Sequence, residues 1–134
     1  MNKYGQTALR AVELMHAGLR SPQTAWEHAA AQMFPDSASS RSKSCPKAAF
    51  LGLCSAGLID MLPGPTQVTG ADSVNASYAR DAVELLRSEP NWAAETSSAI
   101  WNEVLRRLGA DQMKRANGQM DVVLALWTNG LIRR

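Results

Sequence analysis

Apolar residues recur at helical spacing in six separate stretches of the chain. Ala8, Ala11, Val12 and Met15 mark a first helix over residues 6–17, with Arg10 and Glu13 on its other faces and Gly18 closing it. Ser21-Pro22 opens a second helix, serine as N-cap and proline at the first helical position. Ala25, Trp26, Ala29, Ala30 and Met33 form its apolar stripe, and Pro35 ends it. A serine-rich segment before Pro46 predicts a solvated, mobile connection. A third helix then runs from near Pro46 to Gly57, where glycine supplies the left-handed turn that ends a helix before Leu58-Ile59.

The same order returns after a Pro- and Gly-bearing linker at 63–73. Ala8, Ala11, Val12, Glu13 and Leu14 match Ala79, Ala82, Val83, Glu84 and Leu85 at an offset of 71. Trp26 matches Trp101 at an offset of 75, and Leu51, Leu53, Gly57, Leu58 and Ile59 match Leu124, Leu126, Gly130, Leu131 and Ile132 at 73. Three matches in one order predict an all-α single domain over 1–134. It would hold two duplicated three-helix units, 4–62 and 74–134, packed through their third helices with pseudo-twofold symmetry.

Composition narrows the function classes. At 134 residues, with 46% hydrophobic and 19% charged residues, the chain can bury a core of its own. The net charge of +2 is too small to demand nucleic acid. No segment has the length or apolarity of a signal peptide or membrane span, and Cys45 and Cys54 share one short helix that forbids a disulfide between them. These features predict a cytoplasmic protein with free thiols and no membrane association.

Candidate chemistry is sparse. Arg41 and Lys43 precede the third helix and Lys47 lies in its first turn, while Lys114 and Arg115 precede the helix that matches it. Cations beside unpaired helix N–H groups suit phosphate, so these five residues form the candidate anion or nucleic-acid surface. Cys45, at a helix start between Lys43 and Lys47, is the candidate reactive thiol. His16, His28, Cys45 and Cys54 have zinc-ligand chemistry without a zinc spacing, so no metal site is expected. Trp26 and Trp101 sit on apolar stripes and read as core, as does Cys54, whose matched residue is Trp127. Glu13 and Glu84 are available to pair with arginines of the opposite half. The helix of Gln23, Thr24, Glu27 and His28 lacks the cations of a DNA-reading helix.

YGQTALRAVEL (4–14), SPQTAWEHAA (21–30), SSRSKSCPKAAFLGLCSAGLI (39–59) and QMDVVLALWTNGLI (119–132) together resemble a family of short bacterial proteins classed only as a domain of unknown function. The resemblance implies a helical protein and supplies no activity, cofactor or catalytic residue. The leading expectation is a non-catalytic binding protein with an unidentified protein partner or a second copy of itself, in contact through the basic loops. The alternative is sequence-tolerant binding of nucleic acid or a phosphate anion through the same loops, and thiol chemistry at Cys45 ranks last.

Overall fold

The computed structural model describes residues 2–134. Its α-helices are α1 (Lys3–His16), α2 (Pro22–Met33), α3 (Ala38–Arg41), α4 (Ser44–Ser55), α5 (Val74–Ser88), α6 (Ser97–Leu108) and α7 (Gln119–Thr128). A 3-10 turn at Pro90–Ala94 joins α5 to α6, and among the described residues there is no strand beyond one isolated bridge. The all-α expectation is met.

Four helix starts follow from their caps. The Asn2, Ser21, Ser73 and Thr96 side chains accept from the N–H groups of Tyr4, Thr24, Ala76 and Ala99, which would otherwise lack partners. Asn2 starts α1 at Lys3, three residues before the start at residue 6 that the apolar spacing predicts. Pro46 does not open α4, because Ser44 and Cys45 precede it in the helix. Proline is tolerated there because a first-turn N–H has no carbonyl to meet. The serine-rich segment is also more ordered than its composition predicts. The Ser37 hydroxyl caps Ser40 N–H and folds residues 38–41 into α3.

The core forms where first and third helices cross between halves. α1 packs on α2 and α7, α5 packs on α4, and α4 packs on α7. Trp26 and Trp101 are buried as expected, against Phe50 and Tyr78 at ring-centroid distances of 5.4 and 5.2 Å. The α4–α5 crossing depends on Gly52, since a Cβ there would stand 2.6 Å from Ala76 Cβ. The matched positions in the α7–α1 pair hold Ala125 and Gly5, both buried.

Both third helices end in the same way. Gly57 and Gly130 each have φ of 72°, and each donates 3.1 Å back into its helix, to Cys54 O and Trp127 O. Leu58 and Leu131 N–H then reach Leu53 O and Leu126 O at 3.0 and 2.9 Å, which completes a Schellman motif at each end. The chains leave so that Ile59 and Ile132, a matched pair, form an antiparallel bridge. Asp60 N–H donates to Leu131 O and Arg133 N–H to Leu58 O, both at 2.8 Å. Each bond becomes the other when the halves are exchanged. Glu13 and Glu84 do not join the halves, because each pairs within its own helix, with Arg10 and Arg87 at 2.9 Å.

Gly52→Ala should lower unfolding free energy by about 1–3 kcal/mol, since the added methyl meets Ala76 where neither backbone can yield. Gly109→Ala should cost only about 1 kcal/mol, because φ of 65° is strained for alanine while no atom crowds the site. Urea denaturation of both variants checks the order.

Candidate functional site

The two basic loops lead to one end of the molecule. A Cβ on Gly118, the N-cap of α7, would lie 3.3 Å from Pro46 Cβ in the first turn of α4. Most of their charge is committed internally, however. Arg41 Nη1 donates to Phe34 O and Pro35 O at 3.1 and 3.0 Å, closing the end of α2. Lys43 Nζ stands 5.5 Å over the Tyr4 ring, and Lys47 Nζ pairs with Glu27 Oε1 at 3.0 Å. Lys114 Nζ donates to Tyr78 Oη at 2.9 Å and stands 4.8 Å over that ring. Arg115 alone of the five is exposed without a partner among the described residues.

Cys45 is half-buried near the start of α4. Asn75 Nδ2 donates to its Sγ at 3.5 Å, Gln119 Nε2 donates to Asn75 Oδ1 at 2.9 Å, and Asn117 N–H donates to Gln119 Oε1 at 2.5 Å. This chain satisfies buried Gln119 and ties together the starts of α4, α5 and α7. It contains no base or acid. His28 is exposed on α2, and among the described residues no three His, Cys, Asp or Glu side chains gather to hold a metal.

A feature absent from the sequence reading lies at the other end of α4. A cleft of about 490 Å³ opens between the end of α1, the turn at Gly18 and the segment 59–68. Met15, Cys54, Ile59 and Leu62 form its buried floor, and His16, Arg20, Met61 and Gln67 stand on its rim.

The segment 59–68 is a fixed strap rather than a free linker. Ser55 Oγ donates to Thr66 O at 2.7 Å, and Thr66 N–H donates to Ser55 O at 2.9 Å. Gly64 lies against Gly57 so closely that a Cβ on Gly64 would stand 2.5 Å from Gly57 Cα. The Arg133 guanidinium donates to Leu62 O and anchors the strap to the other half.

Matched positions at this cleft hold unequal residues. Trp127 occupies the position of Cys54, and the Arg134 guanidinium covers its ring at 4.3 Å. The residue matched to Arg134 is Met61, which stands on the rim. Met61 holds φ of 62°, a conformation costly for a side chain with a Cβ, and is 79% exposed. Asp60 Oδ1 secures it by accepting Met61 N–H at 3.1 Å. Strain of this kind gathers at ligand clamps.

His16 Nε2 lies 3.1 Å from Asp60 O. A carbonyl oxygen only accepts, so Nε2 carries the proton. Burial pushes the Cys54 thiol from 9.0 up to about 12, so the floor of the cleft is uncharged at neutral pH.

Cys54 should resist iodoacetamide at pH 8 until the protein unfolds, whereas half-buried Cys45 should be alkylated in the native state; peptide mass mapping separates the two. Between pH 9 and about 12 only the unfolded chain releases the Cys54 proton, which favours unfolding. Stability should therefore fall as pH rises through that window. Cys54→Ala should flatten the decline in urea titrations made across it.

Among the described residues no helix is long and apolar enough to cross a membrane. No curated protein and no solved structure matches the chain. Residues 1–133 match the model described as a family of unknown function (DUF6979), and this chain belongs to that family.

Proposed function

We propose that this is a non-catalytic binding protein whose ligand site is the cleft between α1 and the 59–68 strap. The single observation that carries this reading is a roomy, apolar-floored cavity with few polar groups at its mouth. Pockets of roughly 300–1,000 Å³ with such linings are the usual form of small-molecule sites. The strap supports it further, because Ser55 and Gly57 hold its backbone in place beside the cavity.

The basic loops support binding less well, since four of their five cations already have internal partners. Self-association is supported less too. The large exposed apolar residues, Met61, Val74, Leu108 and Met113, fall on four separate segments rather than one face of a helix. Thiol chemistry lacks a neighbouring base. We further infer that the halves are copies of one three-helix unit, which the reciprocal bonds about Ile59 and Ile132 support. The two free thiols favour a cytoplasmic location.

Methyl-13C methionine labelling tests the cleft directly. Titrated octan-1-ol, a neutral apolar probe, should shift the Met15 and Met61 methyl signals on the cleft and leave 84%-exposed Met113 unmoved. Cys54→Trp, which installs the residue found at the matched position, should abolish those shifts, with native folding checked by circular dichroism. Shifts at Met113 alone, or none at Met15 and Met61, would remove the cleft as the binding site.

A further inference from the structure

We propose that the ligand held by this cleft is a singly charged carboxylate on an apolar body, with its carboxylate against Arg20; this rests on the cleft being the binding site. The lining carries one guanidinium and one imidazole and no Asp or Glu. Arg20 is exposed and has no ion pair, hydrogen bond or ring contact among the described residues. Apart from Arg115 on the basic loop, the other arginines are engaged: Arg10, Arg87, Arg106 and Arg107 pair with glutamates, and Arg41, Arg80, Arg133 and Arg134 donate to backbone carbonyls.

Asp60, the acid between lining residues Ile59 and Met61, lies outside the lining and accepts Met61 N–H. The cleft mouth thus presents an uncompensated cation over an uncharged floor. A guanidinium offers two parallel N–H donors, which match the two oxygens of one carboxylate. His16 is held by the Asp60 carbonyl through Nε2, and its Nδ1 has no protein partner. The one guanidinium suits a single negative charge, whereas a phosphate monoester would bring a second charge with no second cation in the lining to meet it.

The apolar body follows from the floor. Met15, Cys54, Ile59 and Leu62 offer no hydrogen-bonding side chain apart from a protonated thiol, so a polar body such as a sugar would lose its water there without replacement. An aliphatic chain or aromatic ring loses nothing.

Octanoate, octan-1-ol and octyl phosphate share a tail and differ in headgroup, so titrating each against methyl-13C methionine protein separates the claims. Octanoate should bind at least about fivefold more tightly than octanol, read from the Met15 and Met61 signals, with octyl phosphate no tighter than octanoate. Arg20→Ala should bring octanoate down to the affinity that the same variant shows for octanol. Raising salt to 1 M should shrink the octanoate advantage. Equal binding of octanoate and octanol, or an octanoate advantage that survives Arg20→Ala, would overturn the carboxylate assignment and leave the cleft standing. Tighter binding of octyl phosphate would overturn it as well. Failure of all three probes to move Met15 and Met61 would overturn the cleft itself. Arg20 has no structural partner to lose, so its variant reports on binding rather than on folding.

Discussion

The fold depends on two glycines that reverse the chain at the ends of α4 and α7. With φ of 72° at Gly57 and Gly130, each helix terminates its own carbonyls and sends two apolar residues back across it. Ile59 and Ile132 then meet as a bridge, and the two 2.8 Å bonds around them are the same bond seen from either half. Any residue with a Cβ at these positions meets the strain of the left-handed region. At Gly57 the strap backbone adds a second obstacle, Gly64 C standing 2.9 Å from where a Cβ would be. The pairing of α4 with α7 therefore rests on backbone geometry before any side chain packs.

Around that centre each first helix reaches the third helix of the opposite half. α5 lies on α4, and α1 lies on α7 as well as on α2 of its own half, so one core spans both halves. The bonds that fasten each first helix near the bridge also correspond. His16 reaches the Asp60 carbonyl and Arg87 the Arg133 carbonyl, with both donors and both acceptors at matched positions. The cleft lies where matched positions differ, Cys54 against Trp127 and Met61 against Arg134.

Much of this frame could be read from the residues. The offsets of 71, 75 and 73 locate all six long helices, because caps and terminating glycines fix ends more firmly than apolar spacing does. The α2 and α6 spans correspond residue for residue, as their Ser21 and Thr96 caps require. Two short elements escaped. The α3 turn exists through one serine hydroxyl, and serine-rich composition reads equally as a loop. Proline at 90 starts a 3-10 turn whose pattern is too brief to carry a period.

The candidate site was less visible, and for a physical reason. Lys43 and Lys114 resemble free loop cations in the sequence, yet each lies over a tyrosine ring on another helix, Tyr4 or Tyr78. Nothing local to either lysine signals that partner. Cys54, conversely, was correctly read as core from its match with Trp127, but the difference in volume between those two residues carried the larger message. A thiol where the matched position holds a tryptophan fills far less volume, so the site must keep space, fill it with other side chains, or collapse. Here the strap is pinned too far out to collapse, by Gly64 on Gly57 and by Arg133 on Leu62. The space stays open, and its rim carries the exposed Arg20 without a partner. A thiol in place of a large ring, together with a strap fastened at Gly57 and Arg133, accounts for the space between α1 and the 59–68 segment.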